Sequence, residues 1–517
     1  MRCAGSVTGI RVDGTTRRRS GFSSSGTNGV GEMTWELGRL FDRAVPVAAS
    51  MLLAALTVVA VIHLRDLAFV DHQSSPRMGL ARYARMGTLY PPLFDGEHYG
   101  GTRMMPIPIL LHAGLASLTD EYVTSGKLVS SLSFLGLLIV SFAALRRLGC
   151  SVARSAVCVA AVATSAVGTW TSLAISYDGL PVAIQMAAVM LVDRIRGRGT
   201  AAVAGLLCAL AFFTKLSALW AVGAIGAWLW LRNRRVVGAF VGAYVGAFAL
   251  GFVVFQLASG GRFAENLFLF SSSGVGGDSV LRIGSELWRM VVIAPVLYVL
   301  LPLAVIEFMV ARRGGDLNVY HLALPFSAGI LVLLLTRAGA VSNHFLDLLT
   351  VCAVLSGRMW MRWRGDASRF AVIPIALTLG MAASLPMTIG VVGSWGLGGE
   401  RASVELPFLE GLVDPADRIL SEDAAIPIVY GQTPVVLDPF LLTTIGARYP
   451  DRIRPLVDRL ERGAIDRVIL IYSLDDAPDD WYRMEHFGAA IASAIERHYF
   501  LLGQADRYFV YAPLRSG

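Results

Sequence analysis

Charged side chains make up only 16% of this 517-residue chain, and 55% of it is hydrophobic, so the places where ionisable groups interrupt apolar sequence are informative. One group falls between residues 65 and 122. Asp66 and Asp71 closely follow an apolar run, and Asp95 and Glu97 stand in "FDGEHYGG". A carboxylate near a membrane surface, partly stripped of water, is suited to take a proton from a hydroxyl. Asp71 and Asp66 are the candidates for that base, while Asp95 and Glu97 fit an ordinary turn as well as a site. Asp178 opens an apolar stretch in "SYDGLPVAI", a costly position unless the acid caps a helix or binds something. Lys215, in "AFFTKLSALWA", lies between two apolar runs, where it can snorkel to the interface or meet an anion. Arg103, Arg262 and Arg337 occupy other polar interruptions. Four cations converging from separate loops would make an anion site suited to a lipid phosphate. His344 and Asp347 in "SNHFLDLL" are three apart and share a helix face, either as cavity groups or as a self-satisfied pair. A divalent metal bridging Asp178 and a loop carboxylate is compatible with these positions. Zinc spacing is absent, and the five cysteines, with no CxxC, read as small buried hydrophobes.

The elements that position these groups are apolar segments. About twenty such residues cross a bilayer, and about eleven candidate spans follow, near 45–64, 123–145, 152–172, 179–193, 200–214, 216–231, 236–258, 290–311, 318–336, 342–361 and 369–392. Residues 105–118 are apolar but short, and are expected to be interfacial or re-entrant. Arginine clusters at 17–19, 146–147, 194–198, 232–235, 312–313 and 358–364 fall at alternate connections. The positive-inside rule puts all of them in the cytoplasm. The long first loop 65–122 and the tail then face outward. Within the loop, "GLARYARMGTLYPP" reads as a short amphipathic helix stopped by Gly87 and a proline pair.

Three regions are expected: residues 1–32, disordered and cytoplasmic; 33–393, a polytopic α-helical membrane domain; and 394–517, an extracytoplasmic α/β domain. In the last, "RILSED", "IPIVYG", "PVVLDPF", "DRVILIYS" and "RYFVYAP" read as strands, and "YPDRIRPLVDRLERG" and "MEHFGAAIASAIERHYF" as helices. The net charge of +7 resides in the loop clusters and is not a nucleic-acid footprint. A P-loop, a dinucleotide fingerprint, HExxH and GxSxG are all absent from the sequence.

The acid in a long first outer loop, the stretch "GTLYPPLFDGEHYGG…MPIPILLHAGLASLTDEYVTSGKLVSSL", the acid of "SYDGLPVAIQMAAVMLV" and the Thr-Lys of "GLLCALAFFTKLSALWA" together resemble the GT-C superfamily of membrane glycosyltransferases, which includes protein mannosyltransferases and the aminoarabinose transferase of lipid A. The likeness spans roughly residues 40–360. It departs from the family where "VDHQSS" replaces an acid pair followed by Arg-Tyr, and where "TRMMPIP" replaces a charged-Pro-Pro element. The resemblance implies an inverting transfer of sugar from a polyprenyl-phosphate donor to a glycan, lipid or protein acceptor of the cell envelope. It implies an integral inner-membrane location, Asp71 or Asp66 as base, and donor-phosphate contacts from Lys215, Arg103, Arg262 and Arg337. Asp178, Glu97, Asp95, His344 and Asp347 would line the cavity, meet the acceptor or hold a metal. A transporter of a lipid or polar solute and a non-catalytic assembly scaffold are the alternative readings.

Overall fold

The computed structural model describes residues 28–67, 69–70, 73–194, 197–271, 279–336, 342–363, 367–394, 406, 409–478 and 481–514. Helix α1 (Asn28–Ile62) begins within the stretch expected to be disordered, whose residues 1–27 lie outside the described ones. Its apolar part, Ala44–Ile62, turns most of its surface outward, with Met51, Val58 and Val61 exposed. Such a face suits hydrocarbon.

The long first loop then supplies α2 (Ser75–Arg85), which has proline in its first turn, and α3 (Pro106–Thr119), which starts the same way. Proline is tolerated there because the first-turn N–H groups have no helical partner. Gly87, at φ +85°, turns the chain just after α2. Glu121 caps α4 (Tyr122–Arg147), its carboxylate accepting from the Val123 and Thr124 amides. Next come α5 (Val152–Ala163), α6 (Ala166–Leu173), α7 (Gly179–Val192), α8 (Arg198–Thr214), α9 (Trp220–Arg232), α10 (Arg234–Ala258), α11 (Arg262–Ser271), α12 (Ser279–Ile293), α13 (Leu297–Gly314), α14 (Val319–Leu335), α15 (Phe345–Arg362) and α16 (Ala367–Ser394).

Each of the eleven expected spans contains a helix, and by length and composition fewer of these helices are sufficient to cross a membrane. Among the described residues, four helical stretches are long and apolar enough to cross a membrane: Ala44–Ile62, Tyr122–Arg147, Arg234–Ala258 and Val372–Gly393. The number rises to six if two bent pairs each count as one, α5 with α6 at 78° and α12 with α13 at 109°. The other apolar helices include α3, α7, α8 and α14, which run to 14, 14, 17 and 17 residues. At 1.5 Å per residue they reach about 21–26 Å, short of the roughly 30 Å of hydrocarbon.

One core joins these helices, with Leu145, Val189, Trp220, Leu300, Leu349 and Trp360 deeply buried in it. Small residues set its closest approaches. A Cβ on Gly179 would come within 2.8 Å of the Phe134 backbone, so α7 lies directly against α4. At the far end from the first loop, Glu307 of α13 is fully buried. It accepts from Arg358 Nε and Arg362 Nε of α15, each at 2.8 Å, and lies 3.3 Å from His321 Nε2 of α14.

The C-terminal part is built from β1 (Ile419–Ser421), α17 (Ala425–Val429), α18 (Pro439–Arg448), α19 (Pro450–Glu461), β2 (Arg467–Leu470), α20 (Ala489–His498), β3 (Tyr499–Ala505) and β4 (Tyr508–Pro513). The sheet order is β1-β2-β4-β3, with β1 parallel to β2 and the other pairs antiparallel. Alternate residues serve opposite faces, as the strand repeat of two requires. Leu420, Val468 and Leu470 pack with α19 and α20, and Ile419, Ile469 and Val510 pack on the other side with Leu409 and Ile426. Two expected strands are absent. "IPIVYG" forms α17, and "PVVLDPF" makes one bridge, Val436 with Tyr99, before α18 begins. That bridge draws the first loop into the sheet layer, where Leu93 and Tyr99 are part of the core.

Candidate functional site

Asp178 and Lys215 come together where α7 begins and α8 ends. Tyr177 takes a left-handed backbone, φ +56°, immediately before Asp178. Asp178 occupies the N-cap position of α7, yet it is helical itself, at φ −64° and ψ −22°, and makes no side-chain capping bond. Its oxygens turn the other way. Lys215 Nζ donates to Oδ1 at 2.7 Å and Asn343 Nδ2 donates to Oδ2 at 3.0 Å. Side-chain exposure is 5% for Asp178 and 18% for Lys215, so the pair sits under cover but the ammonium is not sealed in. In such a setting attraction to an anion is much stronger than in bulk water.

The segment that carries Asn343 adds two further groups. His344 and Asp347 do not bond each other. Asp347 Oδ1 accepts from Trp220 Nε1 at 2.6 Å and from Gln185 Nε2 at 3.3 Å, while Gln185 Oε1 accepts the Ala221 amide at 3.3 Å. His344 Nδ1 and Asn343 Oδ1 are buried without a hydrogen-bond partner among the described residues. Charges on Lys215, Asp178 and Arg103 all bear on His344, and those on Lys215 and Asp178 on Asp347. Two unsatisfied polar atoms beside a charge pair are the signature of a place that hydrogen-bonds something else.

The first loop reaches this neighbourhood. Val70 packs with Ile175 and Tyr177, and Arg77 NH1 donates to the Ile175 carbonyl at 2.7 Å, its guanidinium 5.8 Å from the Tyr177 ring centroid. Arg77 acts electrostatically on Asp178. Tyr177 also bonds His112 of α3, whose Nε2 meets the Tyr122 carbonyl at 2.7 Å. Asp66 is buried 3.0 Å from His63 Nδ1, and the backbone carbonyls of both accept from Lys127 Nζ of α4.

Asp71 and Arg337 lie outside the described residues. Arg103 is exposed, 5.1 Å from the Phe440 ring centroid of α18. Arg262 bonds the Ser259 carbonyl of its own turn at 2.8 Å. Asp95 and Glu97 are exposed in a turn, where Asp95 Oδ1 accepts the Glu97 and His98 amides at 2.9 and 2.8 Å. Burial works to raise the Asp95 pKa, but these amides and His98 outweigh it and hold the carboxyl below its usual range. No bond joins these residues to Asp178 or Lys215 among the described ones.

The sequence reading missed Arg77, Asn343 and Gln185. Asn343 is the neighbour of a flagged histidine, and Arg77 follows Asp71 by six residues; both signals were visible but common to polar loops. Among the described residues no group of three His, Cys, Asp or Glu is gathered to hold a metal ion. Asp178, expected as a bridge, has one oxygen on an ammonium and the other on an amide, which does not suit it to a cation.

No protein-family model matches the sequence, and a search of curated proteins finds no match. Solved structures do match. ArnT from Cupriavidus metallidurans bound to undecaprenyl phosphate is 14% identical, with a TM-score of 0.56 over 90% of this chain and 98% of that one. The apo state of the same protein gives 13% and 0.55 over 90% and 98%. The Archaeoglobus fulgidus oligosaccharyltransferase, in complex with Zn and sulfate, gives 13% and 0.50 over 89% of this chain and 73% of that one. These likenesses give this chain the fold of the GT-C glycosyltransferases, which are membrane proteins.

Proposed function

We propose that this protein is an inverting glycosyltransferase that moves a sugar from a polyprenyl-phosphate donor to a cell-envelope acceptor on the outer face of the membrane. The observation that carries the reading is the covered Lys215–Asp178 pair, held by Asn343 and faced by the first loop through Val70 and Arg77. Undecaprenyl phosphate, the lipid bound in the ArnT structure, is the kind of anion such a pair suits.

In this reading the donor phosphate approaches Lys215 from the bilayer, with Arg77 as a second cation. His344 Nδ1 and Asn343 Oδ1 take hydrogen bonds with the donor's sugar, and the accessible side of Asp347 meets a hydroxyl. Asp71, one residue beyond Val70, removes the proton of the acceptor hydroxyl; Asp66 is the second candidate. The acceptor oxygen attacks the anomeric carbon from the face opposite the phosphate. The C–O bond to phosphate breaks, its electron pair leaves with the phosphate, and the configuration inverts. Positioned cations stabilise the charge that develops on the leaving phosphate. The catalytic base contributes about 10²–10⁴-fold.

The test uses the full chain in lipid, a radiolabelled polyprenyl-phosphate sugar and membrane extract as acceptor source. Label should pass to an acceptor. Lys215→Met should lower kcat by about 10²–10³-fold, the usual size of losing one such electrostatic contact. Asp71→Asn should abolish transfer in folded protein. Movement of the label across the bilayer without covalent transfer would overturn the reading.

A further inference from the structure

Residues 174–178 join α6 to α7, and they decide where the Asp178 carboxylate points. Tyr177, at φ +56°, lies in the left-handed region, which is unfavourable for a side chain of its bulk. Such a backbone persists only where its surroundings fix it. Ser130 Oγ of α4 accepts the Ser176 amide at 3.1 Å and the Tyr177 amide at 3.4 Å. The Tyr177 hydroxyl reaches His112 Nδ1 on α3. The direction of that bond follows from chemistry. His112 Nε2 lies 2.7 Å from the Tyr122 carbonyl, which only accepts, so Nε2 carries the hydrogen and Nδ1 is left to accept from the tyrosine. The imidazole is fully buried, and burial favours the neutral form that this arrangement needs. Gly126 of α4 makes room for the ring; a Cβ there would stand 2.7 Å from His112 Cε1. With Tyr177 turned this way, its carbonyl accepts the Leu180 amide at 3.0 Å and α7 starts on that bond. The Asp178 carboxylate then faces Lys215 and Asn343.

We infer that His112 and Tyr177 are positioning residues, whose hydrogen bond keeps the Asp178 carboxylate on Lys215 and off the first amides of α7; their part in sugar transfer rests on the reading of that pair given above. The argument is one of alternatives. An aspartate at the start of a helix ordinarily accepts from amides two or three residues on. Rotation of Tyr177 to an ordinary backbone would return Asp178 to that use and leave Lys215 without its carboxylate. Such a rotation has to carry the Tyr177 hydroxyl away from His112, so the bond from α3 opposes it. No hydrogen bond joins His112 to Asp178 or Lys215 among the described residues; it acts through Tyr177. The first loop thereby sets the geometry of a charge pair that it does not itself contain.

The experiment reads Lys215 directly. The chain has only two lysines, and the other, Lys127, is 2% exposed. A neighbouring carboxylate keeps an amine in its charged, unreactive form. Full-length protein in lipid nanodiscs is treated with acetic anhydride, labelling of each lysine is followed by peptide mass spectrometry, and transfer kinetics are measured in parallel. In Tyr177→Phe, which removes only the hydroxyl, Lys215 should label about tenfold faster than in the natural chain. kcat should fall about tenfold, as displacement of a positioned group predicts. His112→Leu should do the same. His112→Asn, whose amide oxygen accepts near the place of Nδ1, should recover part of both effects. Lys127 should stay protected in every variant, which shows that α4 still packs. Labelling of Lys215 at the natural rate in Tyr177→Phe overturns the inference, and so does an equal effect of leucine and asparagine at position 112. If labelling responds as expected but the natural chain transfers no sugar, the positioning stands and the proposed activity is what fails.

Discussion

Asp178 stands where an aspartate ordinarily bonds the first amides of a helix, and both of its oxygens are spent elsewhere. The sequence showed this acid, and Lys215, His344 and Asp347 with it, because a polar group inside apolar sequence stands out. It did not single out Arg77, Asn343 or Gln185. In a polar loop one more arginine or amide has no contrast, and their importance arises from three-dimensional neighbours. Likewise nothing in the spacing of His344 and Asp347 says that the acid is claimed by Trp220 from another helix. Asp178→Asn keeps the shape and removes the charge, leaving a largely covered ammonium without its counter-ion. Breaking a buried pair from one side costs about 3–5 kcal/mol. Thermal unfolding in detergent should show a loss approaching that size, and added undecaprenyl phosphate should restore part of it by giving Lys215 a new anion. An unchanged melting temperature would mean that the pair contributes nothing to the fold.

Helices were legible where hydropathy is long and uniform, as in α4 and α10. They were misjudged at their breaks. "AVATSAVG" averages as apolar, yet Thr164 and Ser165 divide it, and the Ser165 hydroxyl accepts the Gly168 amide to start a new helix at 78° to the old one. Averaging over a window conceals such a stop, so residues 152–172 read as one straight span. In the sheet layer, "IPIVYG" is too short for periodicity to separate strand from helix. Its five-residue helix is decided by burial against α2 and β1. The seam between α4 and α7 offers a test at this scale. Gly179→Val would force the two backbones apart and carry Asp178 away from Lys215. Overpacking of this kind costs about 1–3 kcal/mol. The expected result is a modest fall in thermal stability with a disproportionate loss of donor binding; equal binding by variant and natural chain would show that the pair tolerates the shift.

Across the whole molecule, the helical part and the sheet layer each bury an acid among polar and charged partners. The arginines read as topology signals, Arg358 and Arg362, are joined to the buried Glu307 and to Asp316. The sheet layer has its own buried acid. Glu422 accepts from His486 Nδ1 and Trp481 Nε1, each at 2.7 Å, and from the Ile471 amide at 2.9 Å. Burial alone would raise its pKa, but these bonds reverse the shift, and the folded value lies below the usual 4.5. A group depressed on folding stabilises above its unfolded pKa, and that stability is lost as the pH falls through the folded value. Unfolding of the sheet layer, followed by Trp481 fluorescence, should therefore move to lower temperature below about pH 4.5. Glu422→Gln should flatten that dependence, and a persistent acid slope in the variant would assign it to other carboxylates.

Helix α1 packs along α16, with Val45 and Ala49 closed off. Roughly 300 residues of chain separate the two partners. At about 5–20 residues per second, the ribosome needs roughly 15–60 s to deliver the second after the first. Throughout that interval α1 has α5 and α6 beside it but not α16, and a chain cut short before residue 367 would leave the strip that faces α16 to lipid for good.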